Sequence, residues 1–172
     1  MKVVIAGGTG FIGAALARQL ALGRHQIIVL TRDLSRAKAQ LGNICECVQW
    51  DAEHSSDWEQ VLNGSDAIVN LAGASVADAR WTDARKRVLV DSRLHATKAL
   101  ASALTRTVSK ASVLINASGI GFYGACDDRV LDERADRGKG FLADLSAVWE
   151  AVTHKQNCRR CNPGGSVTPA AM

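Results

Sequence analysis

Three glycines at spacings of three sit near the start of the chain, in Gly7-Gly8-Thr9-Gly10-Phe11-Ile12-Gly13. They follow a short apolar run, Val3-Val4-Ile5-Ala6, and lead into a segment of helical period. In that strand–turn–helix setting the spacing suits a pyrophosphate. Gly7 permits a tight turn, Gly10 lets the backbone approach the phosphates, and Gly13 lets the helix pack close against the sheet. The free N–H groups and the dipole of the helix that starts at Phe11 then face the anion. A plain turn without ligand would leave the backbone entropy cost of three spaced glycines without a purpose.

The end of the next apolar run chooses between two dinucleotides. An acid there bonds the ribose 2′-hydroxyl of NAD, and an arginine accepts the 2′-phosphate of NADP. The sequence reads Leu30-Thr31-Arg32-Asp33, so Arg32 favours NADP while Asp33, one residue later, keeps NAD open. Arg36 and Lys38 behind them read as a solvated helix face. Cys158 and Cys161 form a lone C-x-x-C with no second ligand pair, and the four histidines show no ligand spacing, so no metal is assigned. Five cysteines, an odd number with no export signal ahead of them, argue against a disulfide framework. Cys45 and Cys47 share one face of a strand and read as buried thiols. His25 reads as capping the turn before its strand.

The elements that position these residues follow from periodicity. Strands are predicted over residues 2–6, 26–31, 45–51, 67–71 and 112–117, and helices over 11–22, 35–41, 82–107 and 141–152, with a helical turn or two over 57–62. Ser35 is the expected cap of the second helix. Strands apolar on both faces and separated by helices indicate a parallel sheet covered on both sides. The expected fold is α/β, a doubly wound Rossmann sheet of five strands in the order 3-2-1-4-5. The 172 residues, 47% hydrophobic and 22% charged, fit one globular domain. The formal charge of +4 is scattered, with no aromatics in a basic run, which argues against nucleic acid. No apolar run approaches the roughly 18 residues of a membrane span.

Further motifs, Trp50-Asp51, Asn70-Leu71-Ala72-Gly73, Arg80-Trp81-Thr82, Ser92-Arg93 and residues 116–124, carry a resemblance. With the glycine loop, they resemble the short-chain dehydrogenase/reductase superfamily. Within it the likeness is to an atypical, extended branch, the NAD-dependent epimerase/dehydratase or "epimerase family" proteins. The likeness runs from Met1 to about Glu150, the first half of a family member. It implies that Gly7, Thr9, Gly10, Phe11, Ile12 and Gly13 hold the pyrophosphate and Arg32 the 2′-phosphate. Asp51 would meet the adenine, and Leu71, Ala72 and Gly73 would line the ribose and the nicotinamide side. Ser118 stands where the superfamily places its catalytic serine.

One departure matters. The superfamily's working pair is a tyrosine and, four residues on, a lysine, in the helix after that serine. This chain has Phe141 and Leu145 there, which neither transfer a proton nor carry charge. A positioned acid/base contributes about 10²–10⁴-fold. Tyr123, the only tyrosine, reads either as a displaced acid or as a packing residue at the crevice rim. Arg80 and Trp81 read either as a clamp for a flat or anionic substrate or as a capping cluster, and Lys86 and Arg93 more as a basic face.

The expectation is an NADP(H)-binding Rossmann domain over residues 1–152, followed by a tail over 153–172 without apolar period. Both prolines fall in that tail, and no sixth strand precedes it, so the chain reads as truncated. Two functions remain open: an oxidoreductase or epimerase of unknown small-molecule substrate using Ser118 and Tyr123, or a non-catalytic NADP(H) sensor or scaffold. The fifth strand, apolar and uncharged, would then be an open edge, which invites a homodimer. The expected location is the cytoplasm, or an organelle's stroma or matrix behind a transit peptide absent from this sequence.

Overall fold

The computed structural model describes residues 1–54, 57–106, 111 and 113–155. Nine elements carry the fold: β1 (Lys2–Ala6), α1 (Phe11–Leu22), β2 (Gln26–Thr31), α2 (Leu34–Leu41), β3 (Glu46–Gln49), β4 (Ala67–Asn70), α3 (Asp83–Arg106), β5 (Val113–Asn116) and α4 (Phe141–Lys155). Short 3₁₀ turns lie at Gly42–Ile44, Asp57–Leu62 and Ile120–Tyr123. The five strands form one parallel sheet in the order β3-β2-β1-β4-β5, as the sequence pattern predicts.

The pleat explains the two cores. Along β1, Val3 and Ile5 face α1 and α2 with Ala14, Ala17, Val29 and Leu41. Val4 and Ala6 face α3 with Ile28, Leu30, Ile68, Ala96 and Leu100. The central strands β1, β2 and β4 are buried nearly throughout, whereas β3 and β5 are only partly covered. β5 is the last strand of the sheet among the described residues. Its Val113 and Ile115 are 43% and 46% exposed.

Several expectations shift. α2 starts at Leu34, not Ser35, and its cap is Asp33, whose carboxylate accepts the Arg36 N–H at 2.9 Å. A cap two residues nearer the strand wins because Asp33 is already extended there, at φ −130° and ψ 96°. Cys45 and Cys47 share a face as expected, with their Sγ atoms 3.9 Å apart, but on an edge strand they are half-buried. Burial and the neighbouring Cys47 push the Cys45 thiol up to about 12, so it stays protonated at neutral pH. His25 lies with its Nδ1 3.4 Å from the N-terminal amine, beside the turn at Gly23. The fourth helix runs to Lys155, past the expected start of a tail at 153. The rest of that tail, and Ser112 and Thr107, lie outside the described residues.

One buried polar network ties the second half of the sheet to its helices. The Asn70 amide, at the end of β4 and fully buried, donates to Thr97 Oγ1 of α3 (3.0 Å) and Asn116 Oδ1 of β5 (2.6 Å). The Trp149 indole of α4 also donates to Thr97 Oγ1 (2.8 Å), and Thr97 donates to Asn116 Oδ1 (3.1 Å). The Thr97 hydroxyl thus uses its one donor and both acceptor sites. Its replacement by the isosteric valine would orphan two N–H donors in the interior. Thr97→Val is expected to cost about 3 kcal/mol in denaturant unfolding, and Thr97→Ser under about 1 kcal/mol. A valine variant as stable as the serine variant would contradict the network's role.

Candidate functional site

The carboxyl ends of β1, β2 and β4 open onto a cleft of about 510 Å³. Its floor is the glycine loop. Gly7 turns there with φ +81°, and a Cβ on it would lie 2.7 Å from the backbone of Leu71, so the β1 and β4 loops cross with no room for a side chain. A Cβ on Gly13 would lie 2.3 Å from the Gly7 carbonyl oxygen. The pair fixes a cradle that only glycine fits. α1 begins at Phe11, with Gly10 before it giving no side-chain cap, and has no acid in its first turn. Its leading N–H groups and positive dipole end therefore await an anion, and this chain's residues fit a dinucleotide's pyrophosphate.

The walls complete the picture. Arg32 and Arg36 line the cleft beyond β2, Asp51 to Glu53 beyond β3, and Leu71 to Ala74 beyond β4. From α3 come Val88, Asp91, Ser92 and His95. Of the residues singled out in the sequence, Gly7, Thr9, Gly10, Arg32, Asp51, Leu71, Ala72 and Gly73 line this one cleft. Gly13 packs beneath the loop, and Phe11 projects into solvent at 95% exposure, so Phe11 and Ile12 offer backbone N–H groups rather than side chains. Arg36 is the residue that the sequence reading assigned to solvent. Asp33 capping its backbone aims the first turn of α2 at the cleft, a signal present in the Arg-Asp-x-x-Arg spacing.

Asp51 holds itself in place. Its Oδ1 accepts the backbone N–H groups of Glu53 (2.9 Å) and His54 (3.0 Å), and its Oδ2 meets the His54 ring at 2.7 Å. The His54 and Glu53 N–H groups, then the His54 ring, hold its carboxyl well below the usual range. Asp51 in turn raises the His54 imidazole above its ordinary value. Next to this turn, Trp50 lines the cleft with its buried indole N–H unbonded among the described residues.

The loop after β4 is gripped from two sides. Asn70 Oδ1 accepts the Ala72 N–H (3.2 Å), and Ser92 Oγ of α3 accepts the Ala74 N–H (3.0 Å). Arg93 donates to the Ala74 carbonyl (3.1 Å) and its guanidinium lies 5.2 Å from the Trp149 ring centre.

The residues after β5 do not line the cleft wall. Ser118 donates its hydroxyl proton to the Glu150 carboxylate of α4. Glu150 is the functional candidate that the sequence did not reveal, since it lies 32 residues on with no motif linking the two. α4 presents Leu142 to Gly121, Ser146 to Gly119 and Glu150 to Ser118, one face at helical spacing. Phe141 points elsewhere, edge-on to Trp81 with ring centres 5.6 Å apart, and Leu145 is buried. Tyr123 packs edge-on against Phe122 at 5.4 Å. Trp81 donates its indole N–H to the Val76 carbonyl (2.8 Å), bracing the loop before α3. Arg80 is exposed beside it. Among the described residues no helix is long and apolar enough to cross a membrane.

Comparison with known proteins agrees with this geometry. The sequence profile of the NAD dependent epimerase/dehydratase family matches residues 3–142. An epimerase family protein of Mycobacterium bovis is 39% identical over 151 residues, covering 88% of this chain and 47% of the relative. A chloroplastic epimerase family protein of Arabidopsis thaliana is 33% identical over 159 residues, covering 91% and 45%. The chain thus spans about half the length of these relatives. The crystal structure of human epimerase family protein SDR39U1 (isoform 2) with NADPH superimposes with a TM-score of 0.73 at 29% identity, over 89% of this chain and 48% of that one. UDP-glucuronic acid 4-epimerase from Bacillus cereus, solved with NAD, shares the fold at a TM-score of 0.72 and 17% identity.

The Asp51–His54 pair sets a pH window. His54, raised by a partner, contributes fully below the ordinary histidine value of about 6.5 and loses its contribution as pH rises through the raised one. Asp51, depressed, contributes above the ordinary aspartate value and loses its share as pH falls through the lowered one. NMR titration is expected to find His54 above the usual histidine range and Asp51→Asn to return it there. An unshifted His54 in the unsubstituted chain would contradict the pairing.

Proposed function

The chain belongs to the NAD dependent epimerase/dehydratase family, and from that premise we propose that it binds NADP(H) in the cleft at the carboxyl ends of β1, β2 and β4. The observation that carries the reading is the uncapped start of α1 over a glycine cradle, with Arg32 and Arg36 at the far end. Arginine rather than acid at the end of β2 favours the 2′-phosphate. Asp33, the residue that kept NAD open, already spends one carboxylate oxygen on the α2 cap. The human relative solved with NADPH supports the same choice. Phe11 and Ile12 contribute N–H groups, Asp51 meets the adenine, and Leu71 to Gly73 approach the nicotinamide.

A bound nicotinamide supplies hydride transfer, and the chain's own residues must then handle the proton. We assign that role to Ser118, with Glu150 as the acceptor of its proton. The substrate is a small molecule at the side of Arg80 and Trp81. Tyr123 keeps its two readings, since its ring packs on Phe122 while its hydroxyl has no hydrogen-bond partner among the described residues. The absence of a tyrosine and lysine at Phe141 and Leu145 favours a second reading, a non-catalytic NADP(H) sensor or scaffold. The exposed Val113 and Ile115 on β5, the last strand of the sheet among the described residues, favour pairing with a second copy of the chain. A cytoplasmic place of work, or an organelle's stroma or matrix, completes the proposal.

Thermal unfolding in the presence of each nucleotide tests it. NADPH at a hundred times its Kd is expected to add about 2.7 kcal/mol of stability, with a smaller shift from NADH. Arg32→Gln is expected to narrow the difference between the two by about tenfold in affinity. No shift with either nucleotide, or equal shifts unaffected by Arg32→Gln, would overturn the assignment. Hydride transfer to a carbonyl panel that falls in Ser118→Ala would decide for the enzyme over the sensor.

A further inference from the structure

Two arginines of α3, Arg85 and Arg93, stand without acidic partners among the described residues, behind the loop that lines the cleft. Arg85 donates through Nη2 to the Ser75 carbonyl, and Arg93 through Nη1 to the Ala74 and Leu89 carbonyls at 3.1 and 3.0 Å. The two side chains therefore grip consecutive residues of one loop, eight positions apart on one helix. No carboxylate lies within 4.0 Å of either among the described residues. The Arg85 Nε is buried with no hydrogen-bond partner there. Arg93 keeps three of its five N–H groups beyond those two bonds. Its guanidinium also lies against Gly73, where a Cβ would come within 3.1 Å of Cζ, and Gly73 lines the cofactor cleft. Trp149 closes the far side with its ring face.

A loop clamp alone explains the carbonyl bonds but not the charge. Burial, and then the neighbouring Arg85 charge, push the Arg93 guanidinium below its ordinary value. Two like charges gripping adjacent residues of one loop and partly desolvated are costly unless an anion joins them. Guanidinium is the side chain suited to that task, because its planar fork matches carboxylate or phosphate oxygens in pairs. Resting on the cofactor assignment above, we propose that Arg85 and Arg93 form the seat for one anionic group of the substrate, a carboxylate or a phosphate, beside the nicotinamide end of the cleft. The anion is held by these two arginines of α3, and Arg80, exposed at the loop's far end, is not needed for it.

Inorganic phosphate and malonate serve as probes. Thermal unfolding of the chain is followed at constant ionic strength, with and without saturating NADPH, which fills the glycine loop and Arg32. Expected is a saturable rise in Tm with one or both anions that persists under NADPH. It should remain in Arg32→Gln and weaken about tenfold or more in apparent affinity in Arg93→Gln and in Arg85→Gln. Phosphate acting alone identifies a phosphorylated substrate, and malonate alone an acidic one. Comparison between variants cancels the general stabilisation that phosphate gives any fold. A response lost in Arg32→Gln but kept in Arg93→Gln places the anion at the cofactor site and overturns the proposal. Equal anion responses in all variants, or none under NADPH, overturn it as well, leaving the arginines as loop clamps. If Arg93→Gln shows no cooperative transition, Arg85→Gln decides alone. A failure of NADPH itself to bind is read from the nucleotide titration and is separate from the phosphate response of the two variants.

Discussion

The interaction on which the rest depends is the buried contact of Asn70 with Thr97 and Asn116. It sits where the cleft-bearing half of the sheet meets the half that carries Ser118. Through its carbonyl oxygen Asn70 fixes the Ala72 N–H, and through its amide it fixes α3 and β5. Its backbone carbonyl also accepts the Ala117 N–H, one residue before Ser118. One side chain thus sets the loop that lines the cleft and the strand end that presents the serine. Trp149 adds α4 to the same hydroxyl, and Glu150 follows it directly in sequence. Such a network has value only when complete, since each orphaned member in a low-dielectric interior costs the desolvation it can no longer offset.

Around that knot the cleft is assembled from backbone rather than side chains. The glycine cradle leaves donors unspent at the start of α1, and Arg32 and Arg36 add charge at the other end. Both features are the ones on which the proposed NADP(H) assignment rests. The region beyond Gly73 has a different character: arginines, tryptophans and a phenylalanine packed on one another, with Lys86 5.7 Å above the Phe141 ring. Phe141, where the resemblance read from the sequence expects a proton donor, is part of this aromatic packing.

Most of the fold was legible because its signals are local. Continuous apolar runs at β1, β2 and β4 and the glycines between them need no tertiary context. The candidate cleft was legible for the same reason, since the residues that line it come from strand ends that the periodicity locates. What escaped was tertiary. Asp33 displaced Ser35 as cap because the chain leaves β2 already extended. Arg36 reached the cleft because that cap sets the angle of α2. Glu150 could not be paired with Ser118 from spacing, because the contact spans 32 residues and depends on how α4 lies across the loop after β5. The same holds for Arg85 and Arg93, which look like an ordinary basic helix face until their partial burial, and the lack of an acidic partner among the described residues, are seen.

The central claim is that these loops form a preorganised nucleotide site. Amide hydrogen exchange, read residue by residue with and without NADPH, tests it most directly. The account predicts slowed exchange concentrated at the amides of Gly10 to Gly13 and of Leu71 to Ala74, with little change in α4. Protection spread evenly over the chain, or confined to residues away from these two loops, would contradict it.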